Sequence, residues 1–390
     1  MTAWQEVMLK DVVSVLGDGL HGTPEYDDNG EYYFINGNNL SYGKIVIKES
    51  TMRASKEEFE RYKKNLNDRT ILVSINGTIG NVALYNNEKC ILGKSACYFN
   101  ALEEVDKKFI FYVTTGHHFQ NYISEFANGT TIKNVPLKAI REYSFLIPEL
   151  PEQKAIAAVL SSLDDKIDLL HRQSQTLEAM AATLFRQWFV EEVQEDWEVG
   201  VISDLISVLS GFPFKSTSFI DSGKYRLITI KAVQDGYLEL SGADMLDEIP
   251  PRMPDYCHLQ NGDILLSLTG NVGRCCFVDN DDLLLNQRVA KLQPKQVRDW
   301  AFTYVLFRQS SMKRMLEELA KGTAQANLSP IETSRMEFVI PSKAMLEKYN
   351  ACATPILKKV LSNIAQIKSL EKLRDNLLPK LMSGKVRVTA

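Results

Sequence analysis

The strongest constraint on this chain is that it is written twice. Laid beneath the first half at a constant offset of 193 positions, the second half aligns Asp204, Leu205, Val208 and Leu209 with Asp11, Val12, Val15 and Leu16. At the same offset ILVSINGTIG (71–80) meets ILLSLTGNVG (264–273), Phe34-Ile35 meets Leu227-Ile228, and Gly43 meets Gly236. Gly129-Thr130 meets Gly322-Thr323, Asn134 meets Asn327, and Phe145, Ile147 and Pro148 meet Phe338, Ile340 and Pro341. One ungapped shift cannot serve so many separated matches by chance, and two such periods fill nearly all of the 390 residues. A tandem duplication requires one fold built twice.

Each copy reads alike. A short apolar segment (12–16; 205–209) leads into a loop rich in Gly, Pro and Ser/Thr. Runs rich in β-branched and aromatic residues, punctuated by glycine, predict strands at 32–35, 70–75 and 81–85, with counterparts at 225–230, 263–268 and 274–278. An amphipathic helix is expected at 107–127 and 300–321, then a Gly-Thr loop and a last strand ending at Pro148 or Pro341.

Each copy then closes on a long helix. In the first, steps of four and three land on Ile156, Leu160, Leu163, Ile167, Leu170, Ser174, Leu177, Ala181, Leu184 and Trp188, an apolar seam of coiled-coil spacing. The second seam runs through Ile356, Val360, Ile367, Leu370 and Leu377, starting near the N-cap candidate Ser342 and expected to stop before Pro379. Asn363 and Arg374 interrupt it, and Ile364 and Leu373 are expected to take over. Each helix of about 40 residues would span about 60 Å, and connectivity requires that the two pair antiparallel with a globule at each end. The predicted architecture is α+β: two similar mixed α/β domains, 1–149 and 196–341, separated by helical spacers, 150–195 and 342–390, with pseudo-two-fold symmetry.

Catalytic patterns fail on inspection. Gly93-Lys94-Ser95 resembles the end of a phosphate loop, but Glu88 stands where that motif needs its first glycine. The Gly-x-Gly pairs lack the strand-to-helix setting of a dinucleotide site. The six cysteines form no C-x-x-C pair and the five histidines no ligand spacing, so neither a zinc site nor a disulfide framework is expected. No run approaches the roughly 20 apolar residues of a membrane span, and a cytoplasmic protein without a membrane association is expected. A net charge of −4 argues against a chain that coats nucleic acid unaided.

What recurs instead is a set of small-polar loops. The first copy offers His21, Thr23, Asn36, Asn38, Asn76, Thr78, Lys94, Thr130 and Lys133. The second offers Lys215, Ser216, Lys231, Thr269, Asn271, Arg274, Gln287, Arg288, Lys321, Thr323, Gln325 and Asn327. Asn, Gln, Arg and Lys read base edges, and hydroxyls suit phosphates. Any one of these residues is equally a turn-former. Together they share aligned positions while their side chains differ, as expected of one scaffold reading two sequences.

The chain resembles the specificity subunits of type I restriction-modification systems. The resemblance rests on IPELPEQKAIA (147–157) leading into LDDKI (163–167), on LFRQWFV (184–190), on LRDNLLPKLMSG (373–384), and on GFPFKS (211–216) and GDILLS (262–267). It implies two target-recognition domains, each reading half of a split, asymmetric site in double-stranded DNA, with a stand-alone bipartite DNA-binding protein as the alternative. It also implies two modification subunits docked on the helices, supplying adenine methylation and S-adenosylmethionine, and restriction subunits that join for cleavage. No catalysis and no cofactor are expected in this chain. The LPEQ of the first copy faces Lys343-Ala344-Met345-Leu346 in the second, so the start of the second helix is expected to differ.

Overall fold

A computed structural model describes residues 4–41, 43–127, 133–321 and 327–388. The chain divides into two compact units, Met1–Lys166 with Leu370–Ala390, and Ile167–Ser369. Both long helices cross that division, so each unit carries a stretch of each.

In the first unit a four-stranded antiparallel sheet runs in the order Val13–Asp18, Ala96–Ala101, Thr70–Ser74, Val82–Leu84. In the second the order is Ile206–Ser210, Val289–Pro294, Ile264–Ser267, Cys275–Phe277. A smaller sheet accompanies each, in which Tyr33 faces Cys90 across a parallel pair in one unit and Arg226 faces Leu283 in the other. The offset of 193 therefore holds for strand register as well as for residue type. Helix starts obey it too: Lys107 and Trp300, His117 and Ser310, Leu137 and Pro330, Leu150 and Lys343.

The helix expected at 107–127 is two helices, Lys107–Thr115 and His117–Phe126, and that at 300–321 is Trp300–Arg308 and Ser310–Ala320. The break falls at Gly116 in one copy and at Gln309 in the other, both extended (φ −69°, ψ 148°; φ −66°, ψ 136°). A glycine is thus not what breaks it. The first helix of each pair is buried nearly all round, Phe109 to Thr114 and Ala301 to Phe307, whereas the second buries only one stripe. A turn between them lets each meet its own surroundings.

The first long helix covers Leu150–Arg186, with one π-turn following at Gln187–Glu191, and the second covers Lys343–Met382. Ser342 caps the second as expected, its Oγ accepting from the Met345 amide at 3.3 Å. Pro379 does not end it. The ring removes one backbone bond, but Leu377, Leu378, Leu381 and Met382 all pack on the first unit's core, and the helix runs on to Met382, with Gly384 at φ +68° just beyond it.

Within the first unit Ile156, Ala157 and Leu160 share a core with Leu381, and Arg374 meets Asp164 at 3.0 Å while Arg387 meets Glu152. Within the second, the Tyr349 hydroxyl donates to the Ala181 carbonyl at 3.1 Å, and Asn363 donates to Gln173 Oε1 at 2.9 Å and Ser174 Oγ at 3.2 Å. In each unit, falling numbers on one helix meet rising numbers on the other, so the pairing is antiparallel in both.

Most of the seam residues sit inside. Ile156, Leu160, Ile167, Leu170, Val360 and Ile367 are buried, and Leu163, Leu177, Leu184, Trp188, Ile356, Leu370 and Leu377 are partly so. Phe185 and Leu357, one step off the seam, take the fully buried places instead. Leu373 does not take over from Arg374: it is 46% exposed, and Arg374 keeps the seam position because Asp164 neutralises it. Asn363 also stays inside, fully buried, its amide nitrogen satisfied across the helix pair and its Oδ1 without a protein partner among the described residues.

Candidate nucleic-acid interface

In the second unit several of the loop residues converge on one cleft of about 1350 Å³, lined by Gly211, Pro213, Ile230, Thr269, Gln287, Arg288 and Asn327 among others. Its walls are fixed by main-chain bonds. Leu268 N donates to Arg288 O at 3.0 Å, Leu328 N to Leu268 O at 2.7 Å, Gln287 N to Phe212 O at 3.1 Å and Gly211 N to Val289 O at 3.0 Å, while Thr269 forms an antiparallel bridge with Asn327. Gly211 permits this close approach, because a Cβ there would lie 2.4 Å from the carbonyl oxygens of Leu285 and Asn286. Gly270 turns the chain at φ +71°, a left-handed conformation open to glycine.

The first unit repeats the frame. Ile75 N donates to Ser95 O at 2.9 Å, Val135 N to Ile75 O at 2.9 Å, Asn76 bridges Asn134, and Gly77 turns at φ +74°. The side chains on the two frames are not the same. Position 94 carries an exposed Lys where 287 carries an exposed Gln, and 95 carries Ser where 288 carries an exposed Arg. Ser95 is turned inward, accepting from Gly37 N at 2.9 Å and donating to Asn36 Oδ1 at 2.8 Å. Gln287 and Arg288 have no side-chain partner among the described residues. On the cleft wall the Thr269 hydroxyl is buried without a protein partner among the described residues, a state that costs about 1–3 kcal/mol unless something supplies the bond.

The remaining sequence-predicted residues fall into groups. Asn38, Thr78, Lys94, Lys133, Lys215, Ser216, Lys231, Asn271 and Lys321 are exposed on loops and turns, as are Thr23 and His21, the last with its ring against Asp18 at 2.6 Å. Asn36 and Arg274 are occupied within the fold: Asn36 by Ser95 and Asn39, Arg274 by the Gln234 side chain. Thr130, Thr323 and Gln325 lie outside the described residues. Asn134, the exact-offset partner of Asn327, belongs with the set, and the repeat itself is the signal that points to it.

A polar cluster around the buried Tyr304 ties the globule of the second unit to the first long helix. Tyr304 donates to Glu178 at 2.6 Å, and Arg308 reaches both Glu178 at 3.5 Å and Asp235, which Lys313 also contacts at 3.0 Å. Burial pushes the Tyr304 phenol well above its ordinary value, so it remains a donor. Burial also raises Asp235, but Arg308 and Lys313 outweigh it and hold the carboxyl below the usual range. Five of the six cysteines are buried free thiols, and burial drives that of Cys90 up to about 12. No helix among the described residues is long and apolar enough to cross a membrane.

The profile of the type I restriction modification DNA specificity domain matches residues 1–179 and again 194–348. The chain belongs to the type I restriction-modification DNA specificity family. The two matches start 193 positions apart, the offset found in the sequence. Among relatives, the MjaIX specificity subunit of Methanocaldococcus jannaschii is 25% identical over 94% of this chain and 86% of its own. The HindI specificity subunit of Haemophilus influenzae is 23% identical over 72% and 77%. Among solved structures, the S subunit of a type I restriction-modification system from M. genitalium shares the fold, with a TM-score of 0.61, 22% identity and coverage of 97% and 96%. Specificity subunits are the DNA-recognising, non-catalytic components of these enzymes.

Proposed function

We propose that each copy of the repeat reads one half of a bipartite, asymmetric site in double-stranded DNA, and that the chain scaffolds two modification subunits and the restriction subunits around it. The observation that carries this reading is the pair of matching frames: identical main-chain lacing at 75–76, 95 and 134–135 and at 268–269, 288 and 327–328, furnished with different side chains. A shared frame with changed side chains is what two readers of two sequences require.

The long helices supply the spacing. At 37 residues the first is about 55 Å long, and the seam uses only a stripe of its surface, leaving Lys166, Arg172 and Arg186 exposed for a docked subunit, the last two paired with Asp168 and Glu191. S-adenosylmethionine and the methyl-transfer step belong to the modification subunits. A net charge of −4 supports dependence on such partners for affinity, since phosphate contacts need a basic surface. The test is selection of random duplexes by the full chain assembled with modification subunits: two short motifs at a fixed gap are expected. Tight sequence-specific binding by the isolated chain at physiological salt would favour a stand-alone reader, and methylation or cleavage by the chain alone would refute the assignment.

A further inference from the structure

The proposed reading leaves open which side chains discriminate bases, and the cleft of the second unit narrows the choice. Of the residues on its rim, Gln287 and Arg288 are adjacent, exposed and free of side-chain partners among the described residues, and their main chain is fixed on both sides. Gln287 N is held by Phe212 O, Arg288 O by Leu268 N, and the turn closes with Val289 N on Asn286 O at 2.9 Å. A rigid main chain under free, long, polar side chains is an arrangement suited to reading, because little backbone order remains to be gained on binding. By contrast, Arg274 is committed to Gln234, and Arg308 to Glu178 and Asp235.

The comparison between copies sharpens the point. The same turn in the first copy, 93–96, closes with Ala96 N on Gly93 O at 3.0 Å, but there Ser95 is consumed in holding the 36–37 turn. Only Lys94 is left to project. At this turn the two frames thus differ in reading chemistry: a Gln-Arg pair against a single Lys.

We infer that Arg288, with Gln287 beside it, is a specificity-determining element of the second recognition domain, Arg288 facing a G·C pair and Gln287 an A·T pair in the major groove. The planar guanidinium matches guanine O6 and N7 with two parallel bonds, and the glutamine amide matches adenine N6 and N7 in the same way. This rests on the proposed DNA-reading function.

The experiment uses the full chain assembled with modification subunits and a pool of random-sequence duplexes, the bound fraction being sequenced at two salt concentrations. Wild type should yield a two-part motif. Arg288→Ala should reduce discrimination at a single G·C position about 5- to 150-fold, leaving the other half-site intact, and Gln287→Ala should do the same at an A·T position. Val297→Ala, an exposed change outside the cleft lining and outside the candidate reading set, should leave the motif as it is. If Arg288→Ala weakens all sequences equally and lowers the salt dependence by about one phosphate contact, Arg288 is a phosphate anchor and the inference is wrong. If wild type selects a motif and both cleft variants leave it unchanged, DNA reading stands and the cleft assignment falls. A wild-type complex that selects no motif refutes the reading function itself.

Discussion

Gln153 stands where the first long helix leaves the recognition fold, and its replacement by leucine offers a sharp accounting test. The side chain is 3% exposed. Its Oε1 accepts from the Asp106 amide at 2.8 Å and its Nε2 donates to the Pro148 carbonyl at 2.9 Å. Leucine would leave one buried N–H and one buried C=O unpaired, at about 1–3 kcal/mol each, so a loss of about 2–5 kcal/mol is expected. The second copy carries leucine here, Leu346, and arranges its bonds differently: the Asp299 amide, counterpart of Asp106 N, donates to Gln296 O at 2.8 Å, while Asn350 accepts from Phe302 N at 2.9 Å and donates to Leu346 O at 2.8 Å. Denaturant unfolding of variant and wild type measures the loss, and hydrogen exchange of peptides spanning 102–116 localises it. A Gln153→Leu cost below about 0.5 kcal/mol would refute the hydrogen-bond accounting.

Asn363→Leu should leave stability unchanged or raise it by about 0–2 kcal/mol, since it removes a buried acceptor without a protein partner among the described residues in exchange for two bonds to Gln173 and Ser174; a loss above about 1 kcal/mol in the unfolding free energy from denaturant titration contradicts this. Asp235→Asn should destabilise at pH 7. Because the carboxyl is held below its ordinary value of 3.8, its stabilising contribution is present above that value and is lost as the pH falls through the lower folded one, so thermal scans of variant and wild type should converge below about pH 4. A gap that persists in acid would show that the Asp235 charge is not its source. Inserting two heptads at Ser174, about 21 Å of helix, with matching residues opposite in the second helix, should lengthen the gap between half-sites while leaving both half-site sequences alone; an unchanged gap removes the spacing role.

Much of this architecture is legible in the sequence because the duplication supplies an internal check at every element. The offset predicts strand register, helix starts and the paired glycine turns, and periodicity predicts the seams. What stays hidden is decided by tertiary context. The central strand Ala96–Ala101 mixes small, polar and aromatic residues, so it gives no alternation, although the Gly-Lys-Ser turn before it marks a strand connection and not a phosphate loop. Pro379 is carried through a helix by the apolar residues around it. Arg374 stays in a seam because an aspartate faces it, and Leu373 is left outside. Loop residues of the same type separate into those consumed by the fold, such as Asn36, Ser95 and Arg274, and those left projecting, such as Lys94, Gln287 and Arg288. Sequence assigns them residue types but not directions.

The central claim is that two readers of one fold recognise two different half-sites at a fixed separation. Sequencing the methylation pattern of cells that carry this chain with its modification subunit tests it most directly. The predicted result is methylated adenine in a split, non-palindromic motif with a constant gap, one half of which changes when Arg288 is replaced. A continuous motif, a palindrome, or a replacement that alters both halves together would contradict it.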